Sequence, residues 1–65
     1  MINIFNSANP IEAEIIKQML EENNITTVML NKQDSSYNMF GSIDLYVKKE
    51  NRTIALQLIH NQNNE

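Results

Sequence analysis

The stretch PIEAEIIKQMLEEN, residues 10–23, constrains this chain more than any other. At about 100° per residue, Ile11, Ala13, Ile15, Ile16, Met19 and Leu20 fall on one broad arc, with Glu14, Lys17, Gln18 and Glu21 opposite. That spacing predicts an amphipathic helix whose apolar side has to be covered. Asn9 is placed to cap it, and Pro10 takes the first helical position, where a missing N–H costs nothing. Glu12, three residues after the cap, completes a box-like signature. Asn23 and Asn24 mark the far end, because asparagine is second only to glycine in accepting the left-handed backbone that closes a helix.

The remaining elements are shorter. Residues 2–6 carry β-branched Ile2 and Ile4 and alternate apolar with polar except at Phe5, which predicts a strand. The polar turn that follows, Ser7-Ala8-Asn9-Pro10, directs helix N–H groups outward, where an anion could sit; capping preference instead assigns Ser7 and Asn9 to the first turn of the helix. Residues 25–30 (ITTVML) read as a strand covered on both sides or lying beside a partner. In residues 42–48, Ile43, Leu45 and Val47 point one way and Asp44, Tyr46 and Lys48 the other, a strand with one dry and one wet face. Helical spacing returns over residues 50–60, with Ile54, Ala55, Leu58 and Ile59 as the stripe and Leu56 beside it.

The order strand, helix, strand, strand, helix is most of a split βαβ unit, so the expected class is α+β: a ferredoxin-like βαββα fold, three strands with both helices on one face. Residues 1–61 form its single domain and 62–65 a disordered polar tail. The third strand fills the gap between the first two, leaving residues 2–6 as an edge with exposed N–H and C=O groups unless another chain covers it. A 65-residue chain buries only about 60% of its unfolded surface, a second reason to expect self-association as a homodimer or small oligomer. If Ile2 and Ile4 face the helices, Phe5 faces away beside Tyr46, with Val28 and Leu30 near them. The segment NKQDSSYNMFG, residues 31–41, is long for a hairpin connection. Tyr37 and Met39 share the phase of the third strand, so that segment is either a strand running back past Gly41, with the turn at residues 32–36, or a binding loop. The candidate interaction residues are therefore Ile4, Phe5, Tyr37, Met39, Phe40 and Tyr46.

Composition narrows the function classes. Five Lys+Arg stand against eight Asp+Glu, a net charge of −3, with no basic cluster beyond Lys48, Lys49 and Arg52, so nucleic acid is not an expected partner. Without cysteine there is no disulfide framework or thiolate metal site, and no apolar run reaches the length of a membrane span; the expected location is cytoplasmic. His60 is the only histidine and stands beside a polar tail. Ser35 and Ser36 have no activating base in sequence, and Arg52 is the only arginine. The expectation is a non-enzymatic domain with no catalytic, cofactor-binding or metal-binding residues.

The run IEAEIIKQMLEENNI, then IDLYVKKENRTIALQLI after a stretch of variable length, resembles the small bacterial family described as putative prokaryotic signal transducing proteins, a domain of unknown function related in fold to the PII (GlnB-like) proteins. Glu12, Ala13, Ile15, Ile16, Leu20 and Glu21 carry the match in the first helix, and Val47, Ala55 and Leu58 in the closing strand and helix. Asn24-Ile25 stands where the family commonly has Gly-Ile, and Lys49 where it more often has an acidic residue. These are packing and capping positions. The resemblance implies a PII-like regulatory module that binds a small ligand or a target protein through residues 31–41, beside the residue-level reading of a self-associating interaction domain.

Overall fold

The computed structural model describes residues 1–32 and 41–63. Among them the chain forms β1 (Ile2–Ser7), α1 (Pro10–Glu22), β2 (Val28–Asn31), β3 (Ile43–Val47), a 3-10 turn (Lys49–Asn51) and α2 (Arg52–Asn63). The sheet order is β1-β3-β2, with β3 antiparallel to both neighbours. This is the expected α+β, βαββα arrangement, with β3 between the two strands that α1 connects.

Local chemistry fixes both ends of α1. Asn9 Oδ1 accepts from the N–H groups of Ile11 (2.9 Å) and Glu12 (3.4 Å). The Ser7 hydroxyl donates to Glu12 Oε1 at 2.7 Å and accepts from the Asn9 N–H at 3.0 Å, so the capping box closes through Ser7 instead of directly. These bonds use donors that an anion would have taken. At the other end Asn24 has φ 64°, and the N–H groups of Asn24 and Ile25 donate to the carbonyls of Glu21 (3.1 Å) and Leu20 (3.0 Å). This is a Schellman closure, and its apolar partners Leu20 and Ile25 are both buried in the core.

The core lies on one side of the sheet. Leu45 and Val47 from β3 meet Ile16 and Leu20 of α1, Ala55 and Ile59 of α2, Ile4 of β1 and Ile25, all buried. Both helices therefore cover the same face, as the element order required.

Several side chains depart from the simple alternation. The β1–β3 register runs Ile2 opposite Val47 and Asn3 opposite Tyr46, then shifts, so that Phe5 stands opposite Leu45. This irregularity makes Ile4 an extra residue on β1. The Asn3 amide stitches it by donating to the carbonyls of Phe5 and Leu45, each at 3.2 Å. Phe5 consequently packs against the core instead of facing outward beside Tyr46.

The helix arcs are narrower than expected. Ala13, Ile16 and Leu20 are buried, but Ile11 and Ile15 are exposed, as are Ile54 and Leu56 on α2. Round the helix, Ile15 stands about 140° and Ile11 about 180° from Leu20, beyond the reach of a sheet on one side. The second strand is not covered on both sides: it is limited to Val28–Asn31, Val28 and Leu30 are exposed, and Ile25 is taken by the helix closure. β3 starts at Ile43, so Gly41 is not part of it, although the Lys32 N–H still reaches the Ser42 carbonyl at 3.0 Å. α2 runs from Arg52 through Asn63.

Replacing either terminal asparagine tests this reading of α1. Asn9→Ala and Asn24→Ala should each lower the unfolding free energy by about 1 kcal/mol in urea titrations, with an unchanged slope. Asn24→Gly should not destabilise at all.

Candidate functional site

The strand pairings place two rows of side chains on the sheet face away from the helices. One row is Asn3, Tyr46 and Val28; the other is Asn6, Asp44 and Leu30. Val28 is 44% and Leu30 47% exposed, and Tyr46 between the strand ends is half-buried. β2 contains no charged residue and no proline, two of the devices that discourage contact with another chain.

The polar centre of this face is Asp44, only 5% exposed although neither helix covers it. The Lys32 ammonium donates to Oδ2 at 2.9 Å and the Ser42 hydroxyl to Oδ1 at 3.0 Å. The hydrogen bond from Lys32 holds the Asp44 carboxyl below its ordinary range, with burial opposing and Ser42 assisting; the bond to Asp44 likewise raises Lys32. Both groups stay charged and mutually neutralised, so the carboxylate is engaged as an ion-pair acceptor. The arrangement pins Lys32, the residue after β2, to the central strand.

Of the three candidate residues that are described, Ile4 is buried in the core, Phe5 packs against it, and Tyr46 lies on the outer face. Tyr37, Met39 and Phe40 lie outside the described residues, as do Ser35 and Ser36. The structure thus does not bring Phe5 and Tyr46 together; Val28 and Leu30 are the side chains it sets beside Tyr46 and Asp44. Sequence reasoning passed over the Lys32–Asp44 pair. Its one signal was an aspartate between Ile43 and Leu45 in mid-strand, where burying a carboxylate is costly unless a cation is near.

Arg52 and His60 lie on the exposed side of α2 with Thr53, Leu56, Gln57 and Asn61, beside a concavity of about 720 Å³. Its described lining comes from one face of one helix, and each of those six side chains is exposed. Among the described residues no three His, Cys, Asp or Glu side chains cluster as they would around a metal ion, and no helix is long and apolar enough to cross a membrane.

The ion pair sets a pH dependence. Because folding lowers the pKa of Asp44, its contribution is present above the ordinary value of 3.8 and is lost as pH falls through the folded-state value. Folding raises the pKa of Lys32, so that contribution is present below 10.5 and is lost as pH rises through the folded-state value. Asp44→Asn should therefore be less stable than the parent at about pH 7, and the gap should narrow on acidification in urea midpoints taken down to about pH 2. A gap that stays constant across that range would remove the pair from the stability balance.

No curated protein and no solved structure matches the chain. A family model does. With residues 1–63 matched, every element from β1 to α2 included, the chain belongs to the family described as putative prokaryotic signal transducing protein.

Proposed function

We propose that this domain is a non-enzymatic interaction module that works by contact with other protein chains, the first of them a second copy of itself. The observation that carries the reading is the outer face of the sheet. Val28 and Leu30 stand exposed there on an uncharged edge strand, and the ionic groups at the centre, Lys32 and Asp44, already neutralise each other. Two copies stacked on this face would meet without opposing like charges, because four of the chain's acidic residues lie on α1, across the core. A contact of ordinary size takes about 800 Å² per partner. That is roughly a sixth of the 4750 Å² of this chain, a large added burial for so small a core.

The same charge distribution argues against nucleic acid as the partner, since the phosphate backbone needs a basic face. A cysteine-free sequence suits a reducing, cytoplasmic setting. An alternative is the PII-like regulatory module, in which the segment beginning at Asn31 and Lys32 binds a small ligand or target protein. Its support is the anchoring of Lys32 to Asp44 at the base of that segment.

Leu30→Glu separates the two readings without touching the core, since Leu30 is exposed. In sedimentation equilibrium over a wide concentration range the parent should associate and Leu30→Glu should remain monomeric, with unchanged far-UV circular dichroism. A parent that stays monomeric, or a variant that associates equally well, would contradict the proposal. A small molecule that raised the melting temperature of both proteins alike would favour the regulatory alternative.

A further inference from the structure

The charge of this chain is not spread over it. α1 holds Glu12, Glu14, Glu21 and Glu22 against Lys17, a net −3. The whole chain, five Lys+Arg against eight Asp+Glu, is also −3, so the rest carries four of each sign and is neutral. Two of the four glutamates are engaged: Glu12 with the Ser7 hydroxyl and Glu21 with Lys17 at 3.2 Å. Among the described residues Glu14 and Glu22 have no ion-pair partner.

On the same outward side of α1 lie Ile11, 70% exposed, and Ile15, 49% exposed. With about 100° between successive residues, Ile11, Glu14, Ile15, Gln18 and Glu22 occupy one arc, opposite the buried Ala13, Ile16 and Leu20. The two isoleucines are one turn apart, and both line a cleft of about 260 Å³ that Gln62 of α2 lines from the other side. Apolar anchors at i and i+4, flanked by unpaired carboxylates, are half of a helix–helix contact.

We infer that this face of α1 docks a cationic amphipathic helix of another protein. The partner would set two apolar side chains against Ile11 and Ile15 and lysines or arginines against Glu14 and Glu22. Charge selects this occupant. A second copy would bring the same −3 surface to α1, and like charges across a contact oppose it. Phosphate backbones and anionic lipid surfaces are repelled for the same reason. The docking face is separated by the core from the outer sheet face, so it stands independently of self-association there.

Fluorescence anisotropy with a labelled synthetic helix of about 14 residues tests the inference, using leucines at i, i+3, i+4 and i+7 and lysines elsewhere. The controls are the same composition scrambled and a version with glutamate in place of lysine. The patterned peptide should bind, and its affinity should fall as salt is raised from about 50 mM to about 500 mM. Ile11→Ser with Ile15→Ser should weaken it about tenfold or more, and Glu14→Gln with Glu22→Gln several-fold, whereas Leu30→Glu should leave it unchanged. Amide shifts in a titration should concentrate on residues 11–22. The inference is overturned if the scrambled peptide binds as tightly or if the paired serine variant binds undiminished. It is also overturned if that variant abolishes self-association in sedimentation, which would make the face a contact between copies.

Discussion

Everything in this fold depends on the two-sidedness of β3. Ile43, Leu45 and Val47 are almost completely buried on one side of it, and a short central strand can be covered that well only if both helices lie across the same face. α1 supplies Ile16 and Leu20, α2 supplies Ala55 and Ile59, and the bulged β1 adds Ile4 with Phe5 against it. The core is a single layer between helices and sheet. The consequence is an outer face that neither helix covers and two flanking strands, β1 and β2, that terminate the sheet. Sixty-five residues supply little apolar surface beyond that one layer.

The features legible in the sequence were those set by local rules. Asn9, Pro10 and Asn24 act through hydrogen bonds and backbone angles within a few residues, and the structure uses each in the role its chemistry suggests. Strand order followed too, because a helix joining two parallel strands leaves a gap for a third. What escaped was nonlocal. The register shift at Ile4 turned Phe5 inward with no glycine to announce it, and only the pairing with β3 reveals it. Ile11 and Ile15 belong to the apolar arc that the helical spacing assigns to the core, whereas a one-sided sheet covers a narrower one and leaves both exposed. The Lys32–Asp44 pair joins residues on two strands, and sequence spacing says nothing about which lysine will meet a mid-strand carboxylate.

The surfaces divide the chemistry between the two sides of the domain. The sheet side is apolar at Val28 and Leu30 and neutral at its ionic centre, and the α1 side is apolar at Ile11 and Ile15 and holds the net charge of the chain. One side suits a like partner and the other an opposite one. Several of the described polar groups are occupied in structural work: Ser7 and Glu12 complete a cap, Asn3 stitches a bulge, and Ser42 and Lys32 saturate Asp44.

The most direct measurement of the central claim is amide hydrogen exchange, residue by residue, in dilute and in concentrated solution. If the sheet is covered on one face and ends at β1 and β2 within a single chain, the amides of β3 should be the slowest at any concentration. Those of β1 and β2 should exchange faster when dilute and gain protection as the concentration rises. Edge-strand amides as slow as those of β3 in dilute solution, with no response to concentration, would contradict a sheet that leaves its contacts to other chains.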